Sequence, residues 1–174
     1  FLLGYSLGGR LALHALATEP DLWAGAIVIA AHPGLQSTGE RVQRRARDRI
    51  WARRFAREPL ELVFSDWDSQ AIFQQIPCPL PRSLAALSRA RARAGFERFS
   101  LGLQTDLRPI LQQLGRPPIL YIAGKQDAKY LQLGRNLTAI CPAMTLAVVP
   151  GAAHRVPWEQ PTSFMESVRA FLAA

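Results

Sequence analysis

The sequence predicts an α/β protein built on a parallel sheet, with a helical segment inserted into it. Three observations predict this. The stretches "GAIVIAA" (25–31), "PILYIAG" (118–124) and "MTLAVVPG" (144–151) are apolar without alternation, as strands buried on both faces are. Helix-period stretches precede and follow them, and alternating strands and helices build a parallel sheet. Between the two strand-bearing blocks, residues 32–116 are rich in arginine and contain no convincing buried strand. That block is expected to be a helical cap, with 1–31 and 117–174 forming the core.

Taken in order, Phe1 has no Met before it and is followed at once by Leu2 and Leu3, so the chain opens partway along a strand. The chain therefore reads as the C-terminal part of a longer protein, with the N-terminal part of the core missing. A glycine-bounded turn leads into a helix over 9–17, stopped by Thr18-Glu19-Pro20, and then into a strand over 23–31. The first cap helix is expected over 39–58, with Val42, Ala46, Ile50, Trp51 and Phe55 on one apolar arc. Arg54 projects from inside that arc, and a charge on an apolar face requires a partner. In the last block a helix over 130–140 separates two strands, and a helix over 161–172 closes the chain.

Composition sets limits on function. With 174 residues, 49% hydrophobic and 20% charged, the chain suits a water-soluble globular domain with a sizeable core. No apolar run reaches the roughly 18 residues of a membrane span. Cys78 and Cys141 lack C-x-x-C or Cys/His ligand spacing, so neither a disulfide framework nor a zinc site is expected, and a reducing cytoplasmic setting fits. Asp66 and Asp68 flank Trp67 but find no third or fourth ligand nearby in the sequence, so no metal is expected. The net charge of +8 admits a nucleic acid, an anionic membrane surface or an acidic small substrate.

The motif with chemistry is "GYSLGG". Gly4-Tyr5-Ser6-Leu7-Gly8 is G-x-S-x-G, the strand-to-helix turn that exposes a seryl hydroxyl and supplies the amide of the next residue, Leu7, to an oxyanion. In α/β-hydrolases an acid and then a histidine follow the serine in the chain, each after a strand. Asp127 follows "PILYIAGKQ" and His154 follows "MTLAVVPGAA". Both lie just past the carboxyl ends of predicted strands, where open parallel sheets hold their sites. A catalytic triad of Ser6, Asp127 and His154 is therefore expected, with an inserted cap on an α/β-hydrolase fold. His14 falls in the helix after Ser6 and is expected to pack or face solvent. His32, at a strand end, has two open roles: lining the site or shaping the turn before Pro33.

Beyond the triad, "GYSLGGR", "AHPGLQS", "WARRF", "EPLELVFSDWDSQAIF", "GLQTDLRP", "GKQDAKY" and "PGAAH" together resemble the 2-succinyl-6-hydroxy-2,4-cyclohexadiene-1-carboxylate synthases. These are lyases of α/β-hydrolase fold in menaquinone and phylloquinone biosynthesis. The resemblance implies elimination of pyruvate from a cyclohexene polycarboxylate, with proton abstraction by the triad, no acyl-enzyme and no cofactor. It further implies that Arg10 and Arg54 hold substrate carboxylates, that Tyr5 and Trp67 line the site, and that Arg89, or its rival Arg91, is a third carboxylate-binding arginine. An arginine fork is the natural bidentate partner of a carboxylate, so the basic cap and the acidic substrate agree. The expected partner is then a small polycarboxylate, with no nucleic acid and no membrane. Two alternatives stand beside the lyase. A carboxylesterase or C–C bond hydrolase would use the triad through an acyl-serine without needing several site arginines. A non-catalytic basic binding module would need no triad at all.

Overall fold

The computed structural model describes residues 1–73, 76, 83–84 and 87–174; Cys78 lies outside the described residues. Two compact units share the chain. A sheet unit comprises Phe1–Pro33, Ile72–Gln74 and Leu107–Ala174, and a helical unit comprises Gly34–Ala71 and Gln75–Asp106. The segment outside the sheet unit is thus shorter than the expected 32–116. Residues 107–116 join the sheet unit because Leu107, Leu111 and Leu114 are buried in its core.

The sheet unit runs β1 (Leu2–Tyr5), α1 (Leu7–Thr18) and β2 (Ala26–Ile29). The helical unit supplies α2 (Thr38–Arg57), α3 (Leu60–Asp68) and α4 (Arg89–Arg98). The chain then returns through α5 (Arg108–Leu111), β3 (Ile119–Gly124), α6 (Ala128–Ile140), β4 (Met144–Val149), α7 (Val156–Glu159) and α8 (Pro161–Leu172). The strands form a parallel sheet of order β1-β2-β3-β4.

Side chains of the two central strands alternate between two cores, as the two-residue period of a strand dictates. Ala26, Val28, Ile119, Tyr121 and Ala123 pack with Leu13 and Leu16 of α1 and Leu137 of α6. Ile27, Ile29, Leu120 and Ile122 pack on the other face with Val156, Phe164 and Val168 of α7 and α8. Every residue of β2 and β3 is buried, which is why neither shows polar alternation. β4 departs from the expected doubly buried strand: Thr145 and Val148 are exposed, because β4 pairs only with β3 and lies at an edge of the described sheet.

In the helical unit, α2 begins on a reciprocal capping box. Ser37 Oγ accepts the Glu40 N–H while the Glu40 carboxylate accepts the Ser37 N–H, each at 3.4 Å. The buried face of α2 carries Asp48, Ala52 and Phe55, so the expected arc holds only in part: Phe55 is buried and Trp51 half-buried, whereas Ala46 is exposed and Val42 and Ile50 are more than half exposed. Contact with α4 and the 101–103 turn selects this face. Gly102 sits so close to the backbone of Arg41 and the side chain of Arg45 that a Cβ there would collide. Phe55 stacks on Phe96 at 5.3 Å and meets Phe64 edge-on at 5.3 Å, forming the aromatic centre of the unit.

Candidate active site

Ser6 stands between β1 and α1 with φ 50° and ψ −107°, a conformation that L-residues adopt only when their surroundings impose it. The turn closes because its neighbours are small. A Cβ on Gly4 would strike the backbone of Gly8, and one on Gly9 would lie 2.6 Å from Ala31 Cβ. The Ser6 N–H donates to the Ile29 carbonyl at 2.8 Å, and its own carbonyl accepts the Arg10 N–H at 3.0 Å, so the serine is tied to β2 and starts α1. Leu7 is the first residue of α1, where a backbone N–H has no acceptor inside the helix.

Asp127 follows β3 and caps α6. Its Oδ1 accepts the Tyr130 N–H at 3.1 Å, which leaves Oδ2 to meet His154 Nδ1 at 2.7 Å. His154 Nε2 is 3.3 Å from Ser6 Oγ. Because a carboxylate only accepts hydrogen bonds, the network assigns the proton to Nδ1 and leaves Nε2 as the acceptor for the seryl hydroxyl. Asp127 and His154 are almost completely buried, which shields their bond from water.

Two loops bring these groups together. Gln126 N–H donates to the Ala152 carbonyl and Lys125 N–H to the Val149 carbonyl, each at 2.9 Å, lacing the Asp127 loop to the His154 loop. Gly124 permits the approach, since a Cβ there would collide with the carbonyls of Ala152 and Ala153. Glu159 then braces the histidine from behind. Its carboxylate accepts the N–H of Ala153 at 2.5 Å and the N–H of Arg155 at 3.3 Å, the two residues that flank His154.

Rings surround the imidazole. Tyr130, Tyr5 and Phe73 have centroids 4.8, 5.4 and 5.9 Å from it. Burial pushes the Tyr5 hydroxyl well above its ordinary pKa against the opposing charge of Arg155, so Tyr5 stays a neutral donor. Arg155 is itself buried, with its guanidinium carbon 3.8 Å from the centroid of Phe73. The sequence did not single out Glu159, Tyr130, Phe73 or Arg155. Only the position of Glu159, five residues past the histidine in "HRVPWEQP", was a usable signal.

The remaining predicted site residues divide between the units. Tyr5 lies beside His154, and Arg10 is half-buried on α1, one turn from Ser6. In the helical unit, Arg54 has the partners its position required: Nε meets Glu58 at 2.8 Å, Nη2 meets Asp66 at 2.5 Å, and the guanidinium lies over Trp51 at 5.0 Å. Trp67 is half-buried against Trp51, at 5.0 Å, and Phe96, at 5.4 Å. Arg89 Nη1 donates to the carbonyls of Phe55 and Glu58 at 3.0 and 2.7 Å, closing the C-terminus of α2, whereas Arg91 is exposed. His14 is half-buried, and His32 is buried just past β2. Among the described residues no group of three or more His, Cys, Asp or Glu side chains is arranged to hold a metal ion.

A parallel sheet with a strained seryl turn, followed by an acid and a histidine at later strand ends, defines a class of enzyme folds. The sequence pattern of the alpha/beta hydrolase family matches residues 1–166, and the chain belongs to that family. Within it, the chain is similar to proteins named 2-succinyl-6-hydroxy-2,4-cyclohexadiene-1-carboxylate synthase. The one from Escherichia coli O1:K1 is 38% identical over 176 residues, covering 99% of this chain and 68% of that protein. The one from Salmonella paratyphi B is 36% identical with the same coverage. Among solved structures, MenH from S. aureus has the same fold, with a TM-score of 0.88 at 22% identity, over 98% of this chain and 66% of that one.

Proposed function

We propose that this chain belongs to an enzyme that eliminates pyruvate from 2-succinyl-5-enolpyruvyl-6-hydroxy-3-cyclohexene-1-carboxylate, yielding 2-succinyl-6-hydroxy-2,4-cyclohexadiene-1-carboxylate on the route to menaquinone or phylloquinone. The observation that carries this is the similarity to the synthases along 99% of the chain. The buried Asp127–His154 pair aimed at Ser6 supplies the base that the reaction needs.

In the proposed mechanism Ser6 Oγ, its proton held by His154 Nε2, takes a proton from the ring. The C2–H electron pair forms a C2–C3 double bond, the ring's C3–C4 double bond shifts to C4–C5, and the C5–O bond to the enolpyruvyl group breaks. The leaving enolate takes up a proton and departs as pyruvate. No bond forms between serine and substrate. Asp127 stabilises the imidazolium, and the Leu7 amide stabilises negative charge as it develops on oxygen.

Arg10, on the helix that Ser6 begins, is proposed to hold a substrate carboxylate, and Tyr5 to donate from its neutral hydroxyl. Arg54, Trp67 and Arg89 complete the proposed binding set. Arg54 and Arg89 have protein partners, so for them substrate binding means sharing or exchanging those partners. The proposed setting is the cytoplasm, without nucleic acid or cofactor; no described helix is long and apolar enough to cross a membrane. The test is pyruvate release from the cyclohexene substrate, followed by coupled reduction with NADH and lactate dehydrogenase, beside hydrolysis of a small neutral ester. Pyruvate release supports the lyase. Ester turnover without it assigns the triad to acyl transfer.

A further inference from the structure

We propose that the helical unit holds a second binding site, a cleft between α2 and α4 that takes a small molecule carrying two or more phosphate groups. The cleft has a volume of 710 Å³ and lies wholly within that unit. Arg45, Arg49, Arg53 and Arg57 line it from α2, and Arg93 and Phe96 from α4. Four-residue spacing stacks the α2 arginines on one side of the helix as a ladder with steps of about 6 Å. None of these residues belongs to the triad or to the proposed carboxylate-binding set.

Three observations separate the cleft from an ordinary solvated helix face. Its charge is not neutralised among the described residues: Glu97 is the one described acid in its lining and is paired with Arg93 at 2.8 Å, while Arg49, Arg53 and Arg57 have no ion pair. Like charges four residues apart oppose helix formation, so such a ladder works against α2 unless an anion sits on it. Second, Arg45 Nε is buried without a hydrogen-bond partner, and a buried donor on a cation requires an acceptor. Third, the shape is concave, and its volume falls within the range of small-molecule sites.

Phosphate fits these features better than other anions. Its oxygens accept from neighbouring guanidinium forks at once, and successive phosphate groups match a ladder of cations better than one compact carboxylate does. Phe96 and Leu103 add an apolar surface, suiting a nucleotide-like molecule with an unsaturated ring beside its phosphates.

The test is calorimetric titration of the protein with ADP and with inorganic tripolyphosphate at fixed, near-physiological ionic strength. Citrate, a single-stranded oligonucleotide and anionic phospholipid vesicles serve as comparison ligands. The expected result is saturable binding of ADP at one site per chain. It weakens about tenfold or more in the double variant Arg49→Gln/Arg53→Gln, the scale of one charge-assisted bond lost. Arg47→Gln/Arg98→Gln removes the same charge from exposed positions outside the cleft and should leave binding within about twofold. Neither variant should melt below the wild type, because the replaced side chains are exposed and their neutralisation relieves like-charge repulsion along the helix. Absence of saturable ADP and tripolyphosphate binding would overturn the proposal. So would equal weakening in both double variants, which would mean general charge attraction. Citrate binding as tightly as ADP would overturn the phosphate assignment, and binding of the oligonucleotide or vesicles alone would assign the cleft to a macromolecular or membrane surface. Pyruvate release is not part of the readout, so this test stands or fails separately from the proposed reaction.

Discussion

The proposed role of Ser6 as base requires His154 Nε2 to accept its proton, which rests on Asp127 Oδ2 meeting the other ring nitrogen at 2.7 Å. Asp127→Asn keeps the size but presents an amide that can donate to Nδ1, which favours the wrong tautomer. Turnover should fall on the order of 10³ to 10⁴-fold while the fold persists, measurable as kcat beside a thermal melt. Arg10→Ala should lower kcat/KM for the polycarboxylate about 10 to 150-fold, the scale of one charge-assisted contact, and leave neutral ester hydrolysis nearly unchanged. Equal loss of both activities would make Arg10 a structural residue. His14, four residues along α1, is held below its ordinary pKa of 6.5 by burial and then by the charge of Arg10. The unfolded chain therefore binds more protons than the folded one just below pH 6.5, so stability should fall as pH drops through that value toward the folded pKa. His14→Gln should flatten this part of the pH–stability curve. Ser6, Asp127 and His154 were legible in the sequence because each follows a recognisable strand. Glu159 and Tyr130 were not, since they act on backbone amides and on an imidazole face, contacts that leave no spacing pattern.

At the scale of elements, the site is two loops and one turn held against a sheet. Glu159 fastens the His154 loop by two backbone bonds, so Glu159→Ala should lower kcat with little effect on KM, as expected of a group that positions the base without touching substrate. Glu159→Gln, which keeps one acceptor oxygen, should recover part of the loss; an unchanged kcat in Glu159→Ala would show that the loop holds itself. Leu13 of α1 is completely buried against the sheet, and Leu13→Ala should cost about 2 to 5 kcal/mol by leaving a cavity under the strand that leads to Ser6. Denaturant unfolding reads this directly. Unbroken apolar runs revealed β2 and β3 because both of their faces are covered. β4 carries a similar run, yet Thr145 and Val148 are exposed and Leu146 and Ala147 only half-buried; hydrophobicity records that a strand is apolar but not whether a second neighbour pairs with it. The α2 arc held at Trp51 and Phe55 and failed at Val42, Ala46 and Ile50 for a related reason. An arginine-rich helix has a weak apolar periodicity, and contact with α4 and the backbone around Gly102 turned the buried face toward Asp48 and Ala52.

At the scale of the molecule, the sheet unit holds the proposed triad and the helical unit holds most of the chain's arginines. The insertion was legible as a change of composition. Its return to the sheet unit at Leu107 was not, because the leucines at 107, 111 and 114 meet the sheet core from a short helix that the sequence does not distinguish from a loop. The surplus of positive charge likewise admitted an anionic partner without saying where on the chain one would bind. The central claim is that the triad starts an elimination. It is tested most directly by pyruvate release from 2-succinyl-5-enolpyruvyl-6-hydroxy-3-cyclohexene-1-carboxylate, for wild type and Ser6→Ala. Catalysed release that is lost in Ser6→Ala is the predicted result; no release above the uncatalysed rate by a folded wild-type protein, or undiminished release in Ser6→Ala, would contradict it.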